Sequence, residues 1–131
     1  MPNLTVWSPR VLSLLRIIAG LLFIEHGLMK LIHFPGPQQG APDPLPPLMM
    51  AAALIEIVGG GLITLGLFTR AAAFICSGEM AVAYFMVHAK QGFWPGLNQG
   101  GEAILYCFLF LYLAFAGGGE WSLDAQLRKR V

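Results

Sequence analysis

Four long apolar stretches make up most of this chain, at residues 11–33, 48–68, 71–89 and 101–116, and each carries a glutamate: Glu25, Glu56, Glu79 and Glu102. A helix needs about 20 apolar residues to span the hydrocarbon core of a bilayer. A charged group at the centre of such a helix costs roughly 2.5–3.5 kcal/mol to insert. One glutamate per stretch therefore implies a bundle with a polar interior, and that interior is where function is to be sought. Composition agrees: 56% of the residues are hydrophobic and 11% charged, against about 25% charged in soluble domains. The expected fold class is an all-α membrane protein, a four-transmembrane-helix bundle forming a single domain over residues 1–131.

The connections are legible in the same way. The segment 34–47 holds Pro35, Pro37, Pro42, Pro44, Pro46 and Pro47 and cannot be helical, because proline removes a donor and clashes with the preceding turn. Thr69-Arg70 leaves so little chain that the second and third stretches must form a tight antiparallel hairpin. A Gly/Trp/Pro loop at 91–100 precedes the last stretch, and Gly117-Gly118-Gly119 ends it. The first stretch is too long for a secretory signal and lacks a small-residue cleavage site, so it is expected to remain as a helix. Arg10, Arg16, Arg70, Arg128, Lys129 and Arg130 fall on one side of the bundle and Lys30 and Lys90 on the other. The excess of cations marks the cytoplasmic side, giving an N-in, C-in arrangement with four crossings.

Counting along helices at about 1.5 Å per residue separates two polar layers. The outer one contains Glu25, His26, Lys30, Glu56, His88 and Glu102, with Tyr106 on the same face as Glu102. The inner one contains Arg16 and Glu79, expected to form a structural ion pair. In the outer layer three carboxylates face one obligate cation, Lys30, and two histidines, so the set is expected to hold a proton and suits proton handling beside a redox ligand. Glu79 and His88 are nine residues apart and point to opposite sides of an undistorted helix; bringing both to one centre requires the third segment to bend.

Other chemistries are less favoured. Cys76 and Cys107 lie far apart in apolar segments, without a C-x-x-C, and are expected to pack between helices. Carboxylate-bridged di-iron bundles use a Glu-x-x-His spacing, whereas here Glu25 and His26 are adjacent; no metal ligands are assigned. Haem between His26 and His88 is a minor alternative. Neither a flavin nor an iron–sulfur motif occurs, and no basic run interleaved with aromatics suggests a nucleic-acid partner.

The run 15–31, LRIIAGLLFIEHGLMKL, resembles the opening helix of the DoxX family. So do Glu56-Ile57-Val58-Gly59-Gly60-Gly61, the following Leu65-Gly66-Leu67-Phe68-Thr69-Arg70, and Gly100-Gly101-Glu102 with the later Gly117-Gly118-Gly119 and Ser122-Leu123-Asp124. The resemblance implies a bacterial or archaeal four-helix inner-membrane protein. The family takes its name from a subunit of a thiosulfate:quinone oxidoreductase, and another member anchors an oxidoreductase complex with a superoxide dismutase and a sulfurtransferase, linked to thiol and oxidative-stress resistance. Arg16, His26, Gly27, Lys30, Glu56, Arg70 and Glu102 match the family pattern; Glu25 and the proline-rich loop are more particular to this chain.

The expectation is then a redox subunit working with partner oxidoreductase or sulfurtransferase proteins. Glu56, Glu102 and His26 would be the catalytic, proton-moving groups, and Lys30, Glu25, His88 and Tyr106 would bind a quinone or similar amphipathic ligand. Two alternatives stay open: a non-catalytic scaffold for soluble partners, and a proton-coupled transporter of a weak acid or oxyanion. A homodimer would suit the transporter, with Gly59-Gly60-Gly61 packing between or within protomers.

Overall fold

The computed structural model describes residues 1–130, and among these every regular element is a helix, with no strands. α1 covers Ser8–Ile32, α2 Pro47–Leu65, α3 Thr69–Ala83, α4 Pro95–Asn98, α5 Gly101–Ala116 and α6 Leu123–Arg128. α1 and α2 begin with proline in the first turn, where its missing N–H costs nothing and its fixed φ suits the helix. α3 does not stop at Ala83 but changes winding, through a π-helical turn at Tyr84–His88 and a 3-10 turn at Ala89–Gln91. Three helical segments are long and apolar enough to cross a membrane, Leu4–Ile32, Pro47–Leu65 and Thr69–Gln91; Gly101–Ala116 is a shorter apolar helix. The loop and tail expected at 91–100 and after residue 119 contain the short helices α4 and α6.

α1 packs on α2, and α3 on α5. The first pair meets through small residues: a Cβ on Gly20 would sit 2.9 Å from the Gly60 carbonyl, and one on Gly27 2.7 Å from that of Ala53. Such close backbone approach is how membrane helices gain packing energy where lipid removes the hydrophobic drive. The core between the pairs holds Phe23, Ile63, Ala73, Cys76, Phe110 and Leu113, all fully buried. Large apolar side chains such as Ile18, Val58, Phe74, Leu105, Phe108 and Phe115 instead face outward. A soluble surface would not carry so many; a lipid-facing one does.

The α2–α3 connection is short because Gly66 turns back at φ +70°, a left-handed conformation that glycine adopts without penalty. Asp124 then fastens the start of α3 by accepting the backbone N–H groups of Phe68 and Thr69, each at 2.9 Å. The Asp124 N–H in turn donates to the Gly66 carbonyl at 2.9 Å.

Arg16 does not pair with Glu79, contrary to the sequence expectation. Its fully buried guanidinium donates through Nε to the Gly118 carbonyl at 2.7 Å, through Nη1 to those of Ile63 (2.6 Å) and Thr64, and through Nη2 to that of Trp121 (3.0 Å). The last carbonyls of a helix have no intrahelical partner and carry the negative end of its dipole. Arg16 satisfies those at the end of α2 together with the glycine turn after α5. Arg70 does the same for α5, donating to the carbonyls of Ala114 (3.3 Å) and Phe115 (2.5 Å).

Candidate functional site

Two ionic pairs stand at the helix seams. Lys30 on α1 donates to Glu56 Oε1 on α2, and both side chains are withdrawn from the surface, the lysine 10% and the glutamate 1% exposed. Glu56 fits there because Gly27, one turn before Lys30, brings the backbones together; a Cβ on Gly27 would lie 3.2 Å from that of Glu56. The second pair joins α1 to α5: His26 Nε2 lies 2.9 Å from Glu102 Oε1, with Glu102 more exposed than His26. Tyr106, one turn along α5 from Glu102, presents its ring edge-on to His26 at 5.9 Å between centroids. It also stacks on Phe110 at 5.4 Å and contacts Phe23 at the same centroid distance.

Beside the His26–Glu102 pair, α1 and α5 line an open groove of about 310 Å³ formed by Leu15, Ile18, Ala19, Leu22, Leu105 and Leu109, with Glu102 and Tyr106 as its polar residues. It opens on the side where Leu15, Ile18, Leu22 and Leu105 are exposed. Its lining is almost wholly apolar, and its polar end is formed by Glu102, to which His26 is bonded, and Tyr106. Pockets for organic ligands have this form, a mainly hydrophobic wall with a few polar groups that fix orientation.

Not every residue expected in the outer layer joins. Glu25 is exposed, on a different side of α1 from His26. His88 is drawn away: its Nδ1 lies 3.0 Å from the Asn98 carbonyl oxygen, and its ring stacks on Tyr84. The π-helical turn that carries His88 changes the helix winding after Glu79, and the α4 loop then supplies the histidine's partner. His26 and His88 are therefore held by different groups. Among the described residues no three histidine, cysteine, aspartate or glutamate side chains converge to hold a metal ion. The cysteines are free; Cys76 belongs to the core, and Ser77 donates to the Cys107 carbonyl at 2.7 Å.

Glu79 is placed differently from the sequence expectation. A Cβ on Gly59 of α2 would strike the Cys76 sulfur of α3, which sets the register of this antiparallel seam. One turn further from the Gly66 turn, Glu56 and Glu79 come opposite each other, and Glu79 lies within electrostatic range of both Glu56 and Lys30. The inner ion-pair partner thus belongs with the buried Lys30–Glu56 pair. Asn98 was not singled out in the sequence. It is fully buried, donates to the Gly92 carbonyl at 2.9 Å and to the Tyr84 hydroxyl at 3.2 Å, and accepts the Gly100 N–H at 2.8 Å. Its place just before Gly100-Gly101 is the signal that could have found it, since Asn commonly ties a turn to the helix that follows.

A family model described as DoxX matches residues 11–89. The chain belongs to the DoxX family. This DoxX protein is 46% identical over 134 residues to a Haemophilus influenzae protein without a described function, covering 99% of this chain and 100% of that one. It is 32% identical over 122 residues to the Escherichia coli inner membrane protein YqjF, covering 88% and 90%. It is also 32% identical over 113 residues to Bacillus subtilis CatD, named as a proposed oxidoreductase, covering 85% and 82%. No solved structure matches the chain. Membrane association thus rests on the family, on the apolar helices and on the outward-facing apolar side chains together.

Proposed function

We propose that this DoxX protein is a redox-linked subunit of a bacterial inner membrane that holds a quinone, or an amphipathic ligand of like shape, in the groove between α1 and α5. The observation that carries this reading is the coupling of a polar end, Glu102 and Tyr106 with His26 bonded to the glutamate, to an apolar trough that opens toward lipid. Such a trough receives a hydrocarbon tail, while His26 offers one hydrogen bond to a carbonyl or hydroxyl head. Tyr106 walls the head off from the bundle core. The inner-membrane name of the Escherichia coli relative and the oxidoreductase name of the Bacillus subtilis one point the same way.

In this reading the chain is a single domain of four crossings with both termini in the cytoplasm, α5 being the shortest. A bound quinone would supply two-electron, two-proton redox chemistry, with the electrons exchanged by a partner oxidoreductase or a reduced sulfur substrate. The chain's own part is to seat the head and to manage protons. His26 is hydrogen-bonded to Glu102, whose exposure would connect the pair to the outer surface. Lys30 supports the charge of Glu56 behind that pair, rather than reaching the ligand itself. Glu25 and His88, facing elsewhere, have no direct part.

The test is native mass spectrometry of the detergent-purified protein with an absorption spectrum of the same sample. A co-purifying quinone mass that disappears in His26→Ala is the expected result. A mass that persists in that variant overturns the seat at His26. A clean apo mass in the unsubstituted protein, with full assembly of soluble partners, would make the chain a scaffold.

A further inference from the structure

The α2–α3 seam contains a group that the quinone reading does not use. Glu56 is 1% exposed, and its Oε1 is taken by Lys30, but its Oε2 is buried without any hydrogen-bond partner. The Oε2 of Glu79 is likewise buried and unpartnered. The two residues occupy equivalent places on opposite sides of the seam: Glu56 lies ten positions before Gly66, and Glu79 ten positions after Thr69. The close approach of Gly59 to Cys76 sets that same register. A buried acceptor left without a donor costs about 1–3 kcal/mol, and here two such acceptors belong to carboxyl groups one helix–helix contact apart.

The charges are also unequal. Lys30 on α1 is the one cation bonded to this pair, while His26, also on α1, acts on Glu56 from further off. Cys76 on α3 and Tyr106 on α5 complete the titratable groups within electrostatic range, and neither brings a positive charge. Two carboxylates sharing a low-dielectric site do not both stay ionised. A proton resolves both difficulties with one atom. Carried on Glu79, it removes the excess charge and turns an orphan acceptor into a donor for the vacant oxygen of Glu56.

We infer that Glu56 and Glu79 form a binding site for one exchangeable proton, shared across the α2–α3 seam and poised beside Lys30. Glu79 is then the proton-bearing member of the pair, its buried Oε2 facing the seam that holds the fully buried Glu56. The site does not depend on the identity of any ligand in the α1–α5 groove.

Infrared spectroscopy of the lipid-reconstituted protein tests this, through the carbonyl stretch of protonated carboxyl groups. The wild-type protein at neutral pH is expected to show such a band, shifted in heavy water. Glu79→Gln is expected to abolish it, and Glu56→Gln to abolish or displace it, because each breaks the sharing. Glu25→Gln and Glu102→Gln should leave it in place. No band in the wild-type protein overturns the inference without recourse to any variant. A band that survives Glu79→Gln unshifted overturns it as well, by putting the proton elsewhere.

Discussion

Lys30 donates to Glu56 across the α1–α2 seam, and neither side chain has an alternative partner of opposite charge in hydrogen-bond contact. Removing one member of a buried pair leaves the other charge uncompensated, at a cost of about 3–5 kcal/mol. Lys30→Met is therefore expected to lower the thermal unfolding midpoint in mild detergent substantially. Adding Glu56→Gln to that variant should restore most of the loss, since the stranded charge is then gone. A double variant no more stable than Lys30→Met would contradict this.

Arg16 offers a contrasting prediction, because its partners are carbonyls rather than a carboxylate. Arg16→Leu strands carbonyls of α2 and of the glycine turn, and should cost roughly 3–5 kcal/mol, several bonds to a charged donor being lost together. Arg16→Lys keeps the charge but not the planar fork, so it should recover only part. Glu79→Gln, by the same logic, should leave the inner end of the bundle intact. Limited proteolysis of the tail after Gly119 reads both effects.

Asp124 gives the molecule an acid-sensitive clasp. Burial pushes its carboxyl up, but the backbone N–H groups of Thr69 and Phe68 and the charge of Arg128 outweigh this and hold it below the usual carboxylate range. A carboxyl lowered in the folded state contributes stability that is present above its unfolded value, about 3.9, and is lost as pH falls through the folded one. Thermal midpoints measured from pH 7 downward should therefore fall more steeply in the wild type below about pH 4 than in Asp124→Asn. At pH 7 that variant should already be weaker by about 1 kcal/mol, the usual worth of a helix cap.

Leu22 lines the groove and is 48% exposed, outside the core. Leu22→Trp should fill the trough with little effect on stability. Quinone retention in native mass spectra should then drop by about tenfold or more, equivalent to about 1.4 kcal/mol. Undiminished retention in a folded Leu22→Trp protein would remove the groove from the proposal while leaving His26 to be tested separately.

Two neighbouring kinds of glycine should behave oppositely. A Cβ at Gly27 meets the Ala53 carbonyl at 2.7 Å, whereas one at Gly61 meets nothing within 4 Å. Gly27→Ala should cost about 1–3 kcal/mol through a forced backbone shift, and Gly61→Ala should be neutral or slightly stabilising, as helix propensity favours alanine. Unfolding midpoints of the two variants side by side would check this.

Much of the fold could be read from hydropathy alone. The limits 101–116 coincide with α5, and the proline-rich segment 34–47 contains no helix before Pro47. The errors have physical causes. The opposite charges of Arg16 and Glu79 are visible in a sequence, whereas the backbone carbonyls that bind Arg16 carry no letter of their own. Depths counted for Glu56 from the outer end of its stretch and for Glu79 from the inner end put them in different layers. Counted both from the hairpin turn, where Gly66 and Thr69 fix the register, they come level. His88 was misplaced by a π-helical turn, a change of winding that hydropathy does not register. His26 and Glu102 lie 76 positions apart in the chain; their meeting depends on α1 and α5 being neighbours, which no local pattern encodes.

The sideways opening of the α1–α5 groove changes what its affinity has to be. A site that faces water must extract an apolar molecule from dilute solution, but one that faces lipid samples a solvent in which such molecules are already concentrated. Its occupancy follows the mole fraction of ligand among the surrounding lipids, and exchange proceeds by diffusion in two dimensions. For the proposed quinone, a single hydrogen bond at His26 and a shallow trough would then be sufficient, and a tighter site would only slow its exchange with the lipid.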